Sequence, residues 1–324
     1  MRIDHPRVPL ASLPTPVEPL TRLSEVLNGP RICIKRDDLT GLAGGGNKAR
    51  KLEFLVGEAI AKGCDTLVTI GAAQSNHCRQ TAAAAAKCNL RCVLVLRGDP
   101  QCEKTGNLLL DRLLGARIVW SRERSREEVM ANIVETERTE GHRPYSISLG
   151  GSSGLGAIGY ALAVEEFPDR GLEQFDRIVF ASSSGGTHAG LVVGAKLAGY
   201  KGEVLGISID EPLNDLQQMV AGIANDAMRR LGERASFNPD GIRACADYLG
   251  KGYGILGEPE REAIELFARS EGILLDPVYT GRAAAGMIGL IRRGIIGKKE
   301  RILFWHTGGI PALWAYADDL ISER

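Results

Sequence analysis

The sequence predicts an α/β protein whose open, mostly parallel sheet is covered by helices on both faces. Three observations predict it. Short apolar runs alternate with longer amphipathic ones along the whole chain, the pattern of strands joined by crossover helices. The loops between an apolar run and the next amphipathic stretch are rich in glycine, hydroxyls and amides, as befits ligand loops at the carboxyl ends of parallel strands. Finally, 324 residues, 44% of them hydrophobic, suffice for a large core and two domains of ordinary size.

Taken in order, Ile32–Lys35 is the first strand, and the glycine tract after it leads into a helix at Lys48–Lys62. The strand Thr66–Ile70 (TLVTI) precedes the alanine-rich helix Asn76–Lys87, and the strand Cys92–Leu96 (CVLVL) the leucine-rich helix Gly106–Leu114. Strands at Arg117–Trp120 and Tyr145–Ile147 flank a charged helix, Arg126–Glu140. A glycine-serine break at Gly150–Gly156 (GGSSGLG) is a candidate crossing between domains and runs into the helix Leu155–Phe167. The alternation continues with strand Ile178–Ala181, helix Thr187–Leu197, strand Val204–Ile207 and helix Asp215–Leu231. Helix Pro259–Arg269, strand Ile273–Leu275, helix Gly281–Arg293, strand Ile302–Trp305 and helix Ile310–Asp319 close the chain. The proline-rich arm before the first strand is expected to pack on the second domain.

Composition excludes several function classes. Forty basic residues cancel forty acidic ones, so no general field draws in a nucleic acid or an anionic membrane. No apolar run approaches the roughly 20 residues that span a bilayer. The N-terminus, MRIDHPRVPLASLPTPVEPL, lacks the apolar centre of a signal peptide. Seven cysteines without a CxxC suit a reducing cytosol and no disulfide framework, with Cys33 and Cys92 as core fillers. The five histidines stand far from metal-ligand spacing, so no metal is expected.

The chemistry is concentrated in four loops and one lysine. Lys48, at the end of GGGNK, is in phase with Leu52, Leu55 and Ala59 on one helical face, so it points inward, while Arg50 and Glu53 point elsewhere. A buried lysine is costly unless paired, neutral or covalently used; the other reading is a lysine that snorkels to water. Ser184-Gly185-Gly186-Thr187 before a helix is an anion cradle by composition, with glycines that admit close approach and free N–H groups at the helix start, or else an ordinary capping turn. Neither glycine tract matches GxxxxGK[ST], so a single phosphate is expected rather than a nucleoside triphosphate. Gln74-Ser75-Asn76-His77 offers amides and a hydroxyl suited to a carboxylate, or a capped helix with His77 on the surface; no GxSxG elbow is present. An inward lysine, a monophosphate cradle and a carboxylate cradle on one sheet point to pyridoxal 5′-phosphate, which needs a lysine, a phosphate site and a partner for its ring nitrogen.

The motifs GGGNKARKLEFL, GAAQSNHCRQTAAAAAK, SLGGSSGLGAIGY, SSSGGTHAGL, LLDPVYTGRAAAGM and HTGGIPALWAY resemble, in order and spacing, the fold-type-II pyridoxal-phosphate enzymes grouped as D-cysteine desulfhydrase and 1-aminocyclopropane-1-carboxylate deaminase. The resemblance covers nearly the whole chain. It implies two open, mostly parallel twisted sheets, tryptophan-synthase-β-like, with a large cofactor-binding domain (1–47 plus 163–324) and a smaller inserted one (48–162). It implies that Lys48 is the Schiff-base lysine and Lys51 a phosphate contact. Asn76 would meet the cofactor's 3-oxygen, Ser184, Gly185, Gly186 and Thr187 its phosphate, and Thr280 and Thr307 the neighbourhood of its pyridine nitrogen. Gln74, Ser75, Asn76 and His77 would face the substrate, lined on its other side by Tyr253 and Tyr279. His306 is expected to be a packing residue. A small amino-acid substrate and a homodimer follow from the same resemblance, and a cytoplasmic location from the cysteine usage.

Thr280 separates the two branches. The deaminases carry a glutamate directly after the DPVY tyrosine; this chain has Thr280. A carboxylate there would hold the ring nitrogen protonated, whereas a hydroxyl is a weaker partner. This favours α,β-elimination of D-cysteine to pyruvate, ammonia and hydrogen sulfide. The alternatives are the cyclopropane deaminase, an L-cysteate sulfo-lyase, and a regulatory amino-acid binder with no catalysis. Ala73, Cys78 and the serine-rich Ser183-Ser184 pair depart from the family pattern and bear on the shape of the substrate pocket.

Overall fold

Two separate parallel sheets carry the cavity at their facing carboxyl ends. The computed structural model describes residues 4–98, 100, 104–167 and 171–321. The first elements are β1 (Val17–Pro19), α1 (Thr21–Val26), β2 (Arg31–Arg36) and α2 (Lys48–Ala61). Then come β3 (Thr66–Ala72), α3 (Asn76–Lys87), β4 (Arg91–Arg97), α4 (Gly106–Leu113), β5 (Arg117–Trp120), α5 (Arg126–Thr139) and β6 (Pro144–Ile147). The second half holds α6 (Gly154–Ala163), β7 (Arg177–Ser182), α7 (Gly186–Leu197), β8 (Glu203–Ser208), α8 (Leu213–Arg230) and β9 (Ala244–Cys245). It ends with α9 (Glu258–Glu271), α10 (Thr280–Arg292), β10 (Arg301–His306) and α11 (Ala317–Ile321).

The six-stranded sheet runs β1-β2-β10-β7-β8-β9 and the four-stranded one β5-β4-β3-β6. All these pairs are parallel except β1 with β2. In the smaller sheet the chain steps outward from β3 to β5, then returns to lay β6 on the other side of β3. In the larger sheet β8 lies on one side of β7 and β10 on the other. Each reversal opens a crevice at the strand ends, where parallel sheets bind ligands. Apolar cores fill both faces: one joins the larger sheet to α9 and α10, another the smaller sheet to α2 and α3. No helix among the described residues is long and apolar enough to cross a membrane.

Three expectations change. Ile273–Leu275 forms no ladder; β10 already has β2 and β7 on its two sides, so no place beside it is open, and Leu274 stays half exposed. The helix from Leu155 stops at Ala163 and tightens into a 3₁₀ turn, Val164–Glu166, while Ile310–Tyr316 is 3₁₀ before α11. Finally, Arg50 and Glu53 leave the Lys48 face of α2 yet are buried too. Glu53 accepts hydrogen bonds from the backbone of Leu10 and Ala11 and pairs with Arg7, so the N-terminal arm covers that side of α2. Arg50 meets Asp37 at 2.7 Å and Glu166 at 2.5 Å. Asp37 also accepts from Thr15, from Tyr160 on α6 and from Trp305 on β10. One buried carboxylate thus ties the arm, two helices and the last strand together.

Candidate active site

Lys48 opens α2 behind a loop that only glycine can form. Gly44, Gly45 and Gly46 have φ of 88°, 70° and 125°, in the left-handed region that other residues avoid. A Cβ on Gly45 would stand 1.8 Å from the Asp38 carbonyl. Arg79 of α3 pins the loop by donating to the carbonyls of Ala43 (3.0 Å) and Gly45 (2.8 Å). Past the end of β10, the Thr307 carbonyl accepts the Asn47 N–H. The loop is therefore held from both sheets, and with it the start of α2.

Lys48 lines a cavity between the two sheets, and Lys51 lies one turn on. Both Nζ atoms sit 3.3 Å from one acceptor, the Gly150 carbonyl, and neither makes an ion pair with a described residue. Burial lowers the Lys48 amine to about 8. Burial and the Lys48 charge drive Lys51 well below the usual lysine value. Two crowded amines share less than two protons near neutrality, so a neutral amine is available there.

The loop before α7 faces these amines. Gly185 is left-handed (φ 77°) and lets the chain turn into the helix. Ser152, from the glycine-serine tract, contacts Ser184 Oγ at 2.8 Å, accepts the Gly186 N–H at 3.2 Å and lies 3.4 Å from Lys51 Nζ. A Cβ on Gly186 would come 2.6 Å from Ser152 Oγ and 2.9 Å from Lys51 Nζ. A Cβ on Gly150 would meet Ser184 Oγ at 2.3 Å. The missing side chains leave a cradle of hydroxyls and N–H groups beside two amines. Asn47 donates to Thr187 Oγ1 and braces it.

From the smaller sheet come Ser75, Asn76 and His77. Ser75 Oγ caps α3 by accepting the Cys78 N–H, which leaves its own O–H free to donate. His77 is buried, not on the surface. Its Nε2 meets Thr69 Oγ1 at 2.8 Å, and that hydroxyl donates to the Ile147 carbonyl. His77 therefore carries its proton on Nε2 and keeps Nδ1 as a buried acceptor without a partner among the described residues. Burial, with the charges of Lys48 and Lys51, holds it neutral. Also on the wall, the Tyr253 and Tyr279 hydroxyls lie 2.6 Å apart, one donating to the other. Burial raises Tyr253 to about 12, and burial with the Tyr253 contact raises Tyr279 further.

Two expected site residues lie elsewhere. Gln74 turns away from the cavity: its Nε2 donates to the Thr105 carbonyl and its Oε1 accepts the Asn107 N–H. Thr280 is fully buried off the cavity wall; its hydroxyl donates to Asp276 Oδ1 and accepts the Asp276 N–H, both at 2.8 Å. The Asp276-Pro277 turn engages that hydroxyl internally, so Thr280 does not separate the two branches through a contact with the ring nitrogen. Thr307 does line the cavity. His306 is buried and packs, with Nε2 against the Leu274 carbonyl. Gly150 and Asp210 on the wall, and Ser152 behind the Ser184 loop, were not singled out from the sequence. Ser152 lies in the tract read as a crossing, and Asp210 follows β8, a strand end the loop rule should have included.

Among the described residues one group joins a histidine to two carboxylates: Glu137, Glu140 and His142 bring ligand-type atoms within 4.8 Å of one another. None lines the cavity, and Glu137 is already paired with Arg91 and Arg117.

A family model described as pyridoxal-phosphate dependent enzyme matches residues 8–308. A D-cysteine desulfhydrase of Klebsiella pneumoniae (strain 342) is 42% identical over 319 residues, 96% of this chain and 96% of that protein. A crystal structure of an ACC deaminase homologue superposes with a TM-score of 0.91 at 38% identity, covering 98% of this chain and 96% of the other. The processed form of threonine deaminase isoform 2 from Solanum lycopersicum matches with a TM-score of 0.67 at 18% identity, over 96% and 84% of the two chains. That last likeness concerns the fold alone.

Proposed function

Because this chain belongs to the family of pyridoxal-phosphate-dependent enzymes, we propose that it is a carbon–sulfur lyase converting D-cysteine and water to pyruvate, ammonia and hydrogen sulfide. The observation that carries the reading is the pair of amines without carboxylate partners beside a cradle that a Cβ would fill. Such a place fits an anion joined to a carbonyl compound. Lys48 would hold the cofactor covalently. Lys51, Ser184, Gly185, Gly186 and Thr187 would hold its phosphate, Asn76 its ring oxygen, and Thr307 would lie by the ring. When bound, the cofactor supplies an electron sink for the substrate's Cα carbanion.

The chain's own residues do the rest. Ser75 donates its free O–H to the substrate carboxylate. Lys48, released as a neutral amine, takes the proton from Cα. The Cβ–S bond would break with its electron pair on sulfur, a hydroxyl of the tyrosine pair would protonate the departing thiolate, and the proton held by Lys48 would restore that hydroxyl. The remaining enamine would take a proton from water at Cβ, and the imine so formed would be hydrolysed to pyruvate and ammonia. The preference for D-cysteine rests on the 42% identical relative rather than on Thr280.

A second reading, cyclopropane amino-acid deamination, is favoured by the 0.91 superposition on the ACC deaminase homologue. Coupled assays for the keto acid, run on D-cysteine, L-cysteine, 1-aminocyclopropane-1-carboxylate and L-cysteate, decide the matter. Sulfide and pyruvate from D-cysteine in equal amounts are the expected result, and 2-oxobutyrate from the cyclopropane substrate alone would reverse the order. The proposal includes a cytoplasmic homodimer, tested by sedimentation and fractionation. It also includes an inserted unit at 48–162 that closes on substrate, tested by scattering with and without ligand.

A further inference from the structure

We infer that Asn107, which lies off the cavity wall, is a positioning residue that sets which face of Asn76 meets the cofactor; this rests on reading the cavity as a cofactor site. Asn107 is the second residue of α4 and is fully buried. Its Nδ2 lies 2.8 Å from the Gln74 backbone carbonyl and 2.9 Å from Asn76 Oδ1. A carbonyl oxygen only accepts, so the amino group of Asn107 must face Gln74. The same nitrogen then meets Asn76, and the atom it meets must be an acceptor. This fixes an orientation that the electron-rich and amino ends of an amide otherwise leave ambiguous. With its oxygen held from behind, Asn76 turns its amino group to the cavity it lines, where it finds no acceptor among the described residues. The ligand atom opposite must therefore be an acceptor, such as a phenolate-type oxygen.

Gln74 holds Asn107 in turn. Its Oε1 accepts the Asn107 N–H at 2.8 Å, and its Nε2 donates to the Thr105 carbonyl at 3.1 Å, just ahead of α4. The first turn of α4 is thus clamped to the β3–α3 loop by a side chain from that loop. The arrangement has a cost: Asn107 Oδ1 is buried without a partner among the described residues. An apolar residue would avoid that penalty, which argues that the amino group is kept for what it orients.

Asn107→Asp tests the inference. It is nearly isosteric, and because it buries a carboxylate against two acceptors it costs stability whichever role Asn107 has; a purely structural role predicts that loss and nothing at the cofactor. A positioning role predicts otherwise, because two acceptors would face the Gln74 carbonyl and Asn76 Oδ1, and Asn76 must turn its oxygen to the cavity. The expected result, beyond a lower melting temperature of the cofactor-free protein, is pyridoxal 5′-phosphate bound about ten-fold more weakly, the loss of one such hydrogen bond. The bound cofactor's visible band should shift, and kcat for D-cysteine should fall more than KM rises. Asn107→Ser, which adds no charge, should weaken cofactor binding in the same sense and serves if the aspartate variant does not fold. Wild-type affinity and spectrum in the variants, or a lower melting temperature with unchanged affinity, would overturn the role of Asn107 alone. A wild-type chain that takes up no pyridoxal 5′-phosphate would overturn both this inference and the reading of the site.

Discussion

Lys48 carries the sharpest expectations of any single residue. In the cofactor-free protein its amine titrates near 8 because it is buried. Below that value the ammonium cannot attack a carbonyl, so the rate of cofactor uptake should rise as pH is raised through about 8 and then level. A stopped-flow absorbance profile from pH 6.5 to pH 9.5, on the order of this titration, checks it; a flat profile would remove Lys48 as the attacking amine. Borohydride reduction of the loaded protein should leave the cofactor on the peptide holding Lys48, and Lys48→Ala should leave none. Thr280 behaves differently. Its hydroxyl serves Asp276 inside the protein, so Thr280→Val should lower stability by about 1–3 kcal/mol, measured by urea denaturation, with cofactor affinity unchanged. The contrast marks what a sequence can reveal at this scale. Lys48 was legible because its helical phase and its glycine tract are local patterns. Gln74 and Thr280 were not, because a motif records which residues stand together and not which way a side chain turns.

Strand and helix limits were legible wherever an apolar run ends in a glycine- or serine-rich loop: β5 and α3 have the bounds the sequence predicts, and α2 and α7 differ by one residue. What escaped was set by neighbours. The strands β1 and β9 are short edge pieces, and Ile273–Leu275 has strand-like side chains but no vacant ladder beside it. The burial of the other side of α2 was likewise set by neighbours, since the N-terminal arm and the Asp37 cluster cover the face that carries Arg50 and Glu53. At the element scale the start of α7 is the feature to test. Gly186→Ala would place a methyl 2.6 Å from Ser152 Oγ and 2.9 Å from Lys51 Nζ. It should weaken pyridoxal 5′-phosphate binding by roughly ten-fold or more, while alanine's better helix propensity offsets part of the strain in the cofactor-free fold. Fluorescence titration beside a thermal melt separates the two effects; equal binding would show that the cradle has room to spare.

For the whole molecule, the cluster around Asp37 is the main polar tie between segments far apart in sequence. Burial alone would raise this carboxyl; the Arg50 charge, with hydrogen bonds from Arg50, Tyr160 and Trp305, brings it down to about 2. A lowered carboxylate contributes stability above its unfolded value, near 3.8, and that contribution disappears as pH falls toward 2, on the order of 2 kcal/mol in all. Asp37→Ala should cost about 3–5 kcal/mol, since Arg50 would keep a buried charge with less to balance it; its acid unfolding curve should also lose the steep part below pH 4. The strand order has a consequence for how the protein is made. The smaller sheet uses one unbroken stretch, from Thr66 to Ile147, and can assemble as soon as that stretch has left the ribosome. The larger sheet cannot, because β10 lies between β2 and β7, with Arg31 paired to Arg301. Until β10 has emerged, two strand edges wait with their hydrogen-bonding groups unmet, the condition that invites chaperones or aggregation. Nascent chains stalled before Arg301 should already protect the smaller sheet from proteolysis while the larger one stays cleavable.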